Sequence, residues 1–318
     1  MADASSPQPV GAPTESRFRR FWDSDVMWSF RHSPVAIVSA IVSLVMILGA
    51  VLAPFYAPQD PFNPAELNLM EGLTPPGKEN EFTNRSFVFG SDSQGRDVFS
   101  AVLYGTQVSL LVGAASVLFS AVFGVLLGLI AGYVGGKTES IIMRIADIQL
   151  SFPAILIALL VFGVARGVIP PAQQEDATLI LLILAIGLSN WAQYARTVRG
   201  STLVEKNKEY VQAARVIGRS PFLIMVKHIL PNVMGPVTVI ATINLALAII
   251  EEATLSFLGV GMPPTQPSLG TLIRVGQQFL FSGEWWILLF PALTLVILAL
   301  AINLLGDWLR DALNPRLR

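Results

Sequence analysis

"EYVQAARVIGRSPFLIMVKHILPN" occupies residues 209–232. It carries too much charge to cross a bilayer, yet long apolar runs flank it on both sides. A spanning helix needs roughly 20 mostly apolar residues. Six stretches meet that length, at about 35–55, 108–133, 141–164, 178–194, 233–258 and 286–305. The quoted segment lies between the fourth and the fifth. The chain therefore reads as an all-α integral membrane protein with six transmembrane helices and a charged insertion at about 197–231.

Composition agrees with that reading. Apolar residues make up 53% of the 318 and charged residues 14%, against about 25% charged in a soluble domain. Mean hydropathy is +0.60, spread over most of the chain rather than confined to one anchor. Net charge is -1, which gives no case for nucleic acid. The chain has no cysteine and only two histidines, His32 and His228. Disulfides, thiolate metal sites, cysteine nucleophiles and histidine-rich metal sites are excluded.

Six spans put both termini on one side. Sixteen Lys and Arg fall on that side and five on the other. By the positive-inside rule the termini and the insertion are cytoplasmic, and the loops after spans one, three and five face outward. The expected division is a leader at 1–34, partly disordered because it is rich in Pro, Ser and Ala; a first span at 35–57; an extracytoplasmic loop at 58–105; and a core at 106–318 with five more spans. The first apolar run is too long for a signal-peptide h-region and reads as a retained anchor.

Within the insertion, Tyr210, Ala213, Ala214 and Ile217 recur at helical spacing and share a face. Glu209, Gln212, Arg215 and Arg219 flank it. Gly218 suits the left-handed turn that ends a helix. Ser220 suits an N-cap and Pro221 a first helical position. A second short helix then runs to Pro231, which breaks or kinks it. The unit reads as helix, turn, helix. It is either an amphipathic linker on the lipid surface or a docking element, and the alanines at the centre of its face favour docking.

"AGYVGGKT", 131–138, fits a loose phosphate-loop pattern. That mechanism needs a strand before the loop, and a spanning helix stands there, so the stretch reads as a tight turn. Gly124, Gly128 and Gly132 share one helix face and read as a close-packing surface. Glu251 and Glu252 fall near the outer end of the fifth span, and an ionisable residue in a span is a functional candidate. Arg144 with Asp147, and Asp307 with Arg310 and Asp311, are spaced for local ion pairs.

"QAARVIG" followed by "LP" resembles the EAA motif of ABC importer permeases. Gln212, Ala213, Ala214, Gly218, Leu230 and Pro231 fall at its positions, with Gln212 in place of the motif Glu and His228 in place of an Ile. "FGSDSQGRDVFSAVLYGTQVSL", "SFPAILIA", "EEATLSFLGVGMPP", "PSLG" and "NLLGDWLRDALNPRLR" resemble the dipeptide/oligopeptide/nickel permease family, and within it the second, C-type permease subunit. Leu269 and Asn314 stand where many relatives carry Trp and Asp. The resemblance covers about 18–318.

That resemblance implies a type I ABC importer permease fold in the inner membrane. It implies four kinds of partner: a homologous second permease, two cytoplasmic ATPases that carry ATP and magnesium, an extracytoplasmic solute-binding protein, and lipid. It implies no catalytic or metal residues and no cofactor in this chain. Coupling to the ATPases would fall on Tyr210, Gln212, Ala213, Ala214, Arg215, Gly218, Leu230 and Pro231. An outer gate or binding-protein contact would fall on Asp92, Arg96, Asp97 and Glu252. The cargo would be a di- or oligopeptide, or alternatively a nickel chelate, glutathione or an opine. An ion-gradient-driven secondary transporter is the rival from another class; it needs paired acids at mid-membrane. An intramembrane enzyme finds no HExxH or GxSxG signature.

Overall fold

The first spanning helix turns small residues inward and large ones outward. In the computed structural model, which describes residues 25–312, the first spanning helix buries Ala36, Ser39, Ser43, Ala50 and Ala53. Val38, Ile41, Leu44, Leu48 and Phe55 are exposed. Lipid tails are as apolar as Leu, so helices associate by close backbone approach rather than by hiding large side chains from water.

Helix α1 spans Asp25–His32 and packs through Phe30 on Trp308, ring centroids 5.1 Å apart. The expected disorder of the preceding leader, and the C-terminal "NPRLR", lie outside the described residues. Helix α2, Pro34–Tyr56, opens on Ser33, whose Oγ accepts from the Ala36 amide at 3.3 Å. The outer segment 57–97 follows. It is tied down rather than free. Gln59 accepts from the Asp97 amide at 2.6 Å, Ser91 Oγ donates to the Glu71 carbonyl at 2.5 Å, and Trp286 Nε1 donates to the Ser91 carbonyl at 3.0 Å.

Helix α3, Val98–Val134, begins ten residues before the expected 108. Its 37 residues exceed the roughly 20 that hydrocarbon requires; hydropathy had marked only the apolar part. Helices α4, Gly136–Leu150, and α5, Ala154–Val168, replace the continuous third span expected at 141–164, and meet at a 101° bend. Pro153 supplies no amide and disfavours helix in the residue before it. Helix α6, Gln174–Glu205, outruns the expected 178–194 and supplies the first part of the insertion itself.

The insertion continues as α7, Glu209–Val216, and α8, Pro221–Ile224. A π-helical turn, Met225–Ile229, joins α8 to α9, Leu230–Phe257. Pro231 therefore does not break the helix. The wide turn, with the Leu230 amide on the Met225 carbonyl, absorbs the missing donor and the ring. Helix α10, Leu269–Gln277, sits between α9 and α11, Trp286–Ala312. Five helical runs are long and apolar enough to cross a membrane, and the bent α4–α5 pair makes a sixth. No β-strand occurs among the described residues, only two isolated bridges.

The glycine face of α3 meets α6. A Cβ at Gly124 would lie 2.5 Å from the Trp191 carbonyl oxygen, at Gly128 2.6 Å from that of Ala195, and at Gly132 2.7 Å from Thr202 Cβ. Asp147 pairs with Arg196 across the α4–α6 contact, and Glu139 with Arg199. This corrects the expected Arg144–Asp147 pair: a partner on a neighbouring helix outcompetes the local one. Asp307, Arg310 and Asp311 form no ion pair with one another.

Candidate functional site: the helix–turn–helix between α6 and α9

The first turn of α7 is fixed to two other helices, and its surroundings add ties to a third. Tyr210 Oη donates to Glu205 Oε2 at 2.5 Å, at the end of α6, and accepts from Asn232 Nδ2 at 3.1 Å, at the base of α9. Lys208 Nζ reaches Glu205 Oε1 at 2.6 Å. Burial, with the Glu205 carboxylate alongside, pushes the Tyr210 phenol up to about 12. It therefore keeps its proton, and its donated bond, across the physiological range. Lys206 Nζ caps the Gly132 carbonyl of α3 at 2.7 Å, and the Arg215 guanidinium lies 5.2 Å over the Tyr133 ring.

Gln212 has a structural reading that its charge-free side chain makes feasible. Its Nε2 donates to the Lys206 carbonyl at 3.2 Å, just past the end of α6. A carboxylate there has no proton to give and faces the negative end of the helix.

Two residues of α7 pack inward while most of the expected docking face stays open. Val211 and Ala214 point inward, into a cluster with Tyr194, Ile224, Ile229 and Val233, with Leu230 packed at its edge. Tyr210 is part-exposed, Ala213 is exposed, and Ile217 is 78% exposed. Val211 and Ala214 fill the gap against α8, and Tyr210 turns sideways to its polar partners. The Val211–Ala214 spacing was the signal available.

The turn is a Schellman motif. The Gly218 amide donates to the Arg215 carbonyl at 2.9 Å and the Arg219 amide to the Ala214 carbonyl at 3.1 Å, with Gly218 at φ +78°. Ser220 Oγ accepts from the Leu223 amide at 3.4 Å, and Pro221 opens α8. The tip so made projects Val216, Ile217 and Phe222, which are 88%, 78% and 68% exposed, between Arg215 and Arg219. Pro231 is exposed at the far end. The arrangement is a braced lever with an apolar tip.

The "AGYVGGKT" stretch is a two-glycine corner between α3 and α4, with Gly135 and Gly136 at positive φ and Lys137 exposed. No strand precedes it, so it lacks the frame that a phosphate loop uses.

The outer residues are largely sealed. Asp92 accepts from the Gln94 and Arg96 amides at 2.8 and 2.9 Å, and burial pushes its carboxyl up against the pull of those bonds. Asp97 caps α3 through the Ser100 amide at 2.9 Å. Arg96 Nη1 donates to the Pro264 carbonyl at 3.1 Å. Glu252 is fully buried. It accepts from Ser109 of α3 and Ser256 of its own helix, each at 2.7 Å. Of the four residues expected at an outer gate or binding-protein contact, Asp92, Asp97 and Glu252 are buried and brace helix starts and junctions, and Arg96 is part-exposed. Sequence reasoning missed Asn232 and Val211, whose partners lie in other helices, and Glu205, whose partners Lys208 and Tyr210 are close in the chain but lie past the end of its helix.

The architecture has known counterparts. The methionine ABC transporter MetNI, in an inward-facing conformation, superposes with a TM-score of 0.52 at 22% identity, covering 67% of this chain and 96% of that one. The dipeptide transport system permease protein DppC of Haemophilus influenzae is 36% identical over 98% of this chain and 99% of its own length. The di/tripeptide permease DppC of Pseudomonas aeruginosa is 35% identical over 100% and 97%, and the oligopeptide permease OppC of Bacillus subtilis is 36% identical over 92% and 90%. Residues 20–76 match the N-terminal TM domain of oligopeptide transport permease C. Residues 124–318, which hold the glycine face, the braced lever and the last two spans, match the binding-protein-dependent transport system inner membrane component. The chain belongs to that family of transport permeases.

Proposed function

We propose that this chain is one of two homologous permeases of an ATP-driven importer for di- and oligopeptides. ATP and magnesium are held by two cytoplasmic ATPases, and an extracytoplasmic binding protein delivers the solute. The observation that carries the cargo assignment is the end-to-end similarity to permeases named for dipeptides, di/tripeptides and oligopeptides. The lever supports the mechanism. Its apolar tip offers a cytoplasmic partner Val216, Ile217 and Phe222, and its base is tied to α3, α6 and α9. A displacement of the tip then moves three spans instead of bending a loop. Alternating access follows from rocking packed helices about such a contact.

The test is uptake by the assembled complex in vesicles. A labelled dipeptide is expected to accumulate only with ATP. Uptake driven by an ion gradient without ATP overturns the importer reading, and ATP-driven uptake of only a nickel chelate, glutathione or an opine overturns the peptide assignment. Orientation is tested separately in this cysteine-free chain. Lys206→Cys is expected to react with an impermeant thiol reagent only from the cytoplasmic side, and Glu79→Cys only from outside. The reverse pattern breaks the topology.

A further inference from the structure

Adjacent acids on α9 have opposite surroundings. Glu252 is sealed by two serine hydroxyls. Glu251 is half-buried and shares an open face of the helix with Leu247, Thr254 and Leu258. Among the described residues its hydrogen-bond partner is Asn190 of α6, whose Nδ2 donates to Glu251 Oε2 at 2.9 Å while also meeting the Ile186 carbonyl at 3.0 Å. Every ion pair found among the described residues lies elsewhere, at Glu71, Asp147, Glu139 and Glu205. A carboxylate in a spanning helix is costly against lipid and belongs on a bundle interior or a water-filled path.

A second, independent feature meets the same turn of α6. The break between α4 and α5 leaves residues 151–153 outside any helix and exposed. Gln149, at the edge of the break, donates to the Leu188 and Ser189 carbonyls at 2.6 and 2.9 Å and accepts from Trp191 Nε1 at 2.7 Å. The open backbone is thereby fixed to the turn that presents Asn190. Irregular backbone at membrane depth persists where protein covers it or water reaches it. An open backbone and a carboxylate without a counter-charge thus converge on Leu188–Trp191.

We propose that Glu251, held in place by Asn190, is a cation-recognising station on the translocation path, and that it takes the primary ammonium of the carried solute. For a peptide this is the free N-terminus, so the ligand assignment rests on the peptide-importer reading. A carboxylate with one neutral donor has acceptor capacity left for a three-donor ammonium, and a charge-assisted bond in a dry setting is strong enough to select for it.

Two measurements on the assembled complex test this. Glu251→Cys is expected to react with a water-soluble methanethiosulfonate in at least one of the ATP-free and ATP-bound states, while Leu160→Cys, on an exposed apolar face of α5, stays unreactive. Equal silence at both positions overturns the path. In uptake competition, the wild-type complex is expected to prefer a free-amine dipeptide over its N-acetylated form. Glu251→Gln is expected to cut that preference about tenfold or more, and Glu251→Asp to retain part of it. An equal loss for both forms overturns ammonium recognition and leaves a merely structural role. If the wild type imports no peptide, the peptide reading falls with the ammonium assignment, and labelling still decides the path.

Discussion

Gly218→Val is expected to cut peptide uptake more than tenfold while the assembled complex continues to hydrolyse ATP. Gly218 holds φ +78° to close the Schellman turn. A residue with a Cβ in that conformation costs about 1–2 kcal/mol, and a β-branched one is stiffer still. An added Cβ meets nothing within 4 Å, so the cost comes from the backbone alone and not from a clash. The relief available to Val is to open the turn, which frees the Arg215 and Ala214 carbonyls and swings the tip away from α7. The site lies outside the spanning helices, so insertion and assembly should persist. The series should grade as Asn, then Ala, then Val, because Asn tolerates the left-handed region best. The reading is the ratio of solute moved to ATP hydrolysed. An unchanged ratio in Gly218→Val removes the turn from the coupling path.

Gly124→Leu is expected to damage the fold itself. Its Cβ would sit 2.5 Å from the Trp191 carbonyl oxygen and 2.6 Å from Tyr194 Cβ. The first is backbone, so no rotamer change relieves it and α3 and α6 must separate. Overpacking of this kind costs about 1–3 kcal/mol, which for a chain of this size lowers the unfolding midpoint by ~2–5 °C. The separation also pulls α6 from the contacts that place Glu205 and Asn190. Gly163→Leu is the control. That glycine is in a spanning helix too, but an added Cβ there meets nothing within 4 Å. Thermal unfolding in detergent distinguishes them. Equal midpoints for the two variants would mean that the α3–α6 contact is looser than described.

Much of this could be read in advance, for local reasons. Hydropathy marks spans because hydrocarbon demands length and apolarity, and five of the six expected spans are single helical runs. Gly218, Ser220 and Pro221 announced a turn because each has a backbone or capping property that works without neighbours. The third span failed as a straight helix because hydropathy is blind to Pro153 at its centre. Pro231 was misread for the opposite reason: the π turn Met225–Ile229 just before it absorbs it. That Val211 and Ala214 are the α7 residues that turn inward depends on what α8 and α9 present to them.

Class of protein, number of apolar runs and the place and residues of the turn in the insertion were legible in the chain before any packing was known. Each follows from composition, length or single-residue conformational preference. Tertiary structure alone decided the partners. Glu252 meets Ser109 across 143 positions, Asn190 meets Glu251 across 61, and Asp147 leaves its neighbour Arg144 for Arg196. Polar groups in a bundle are stabilised by whichever donors the packed helices bring within about 3 Å, and helix crossing sets that, not spacing along the chain.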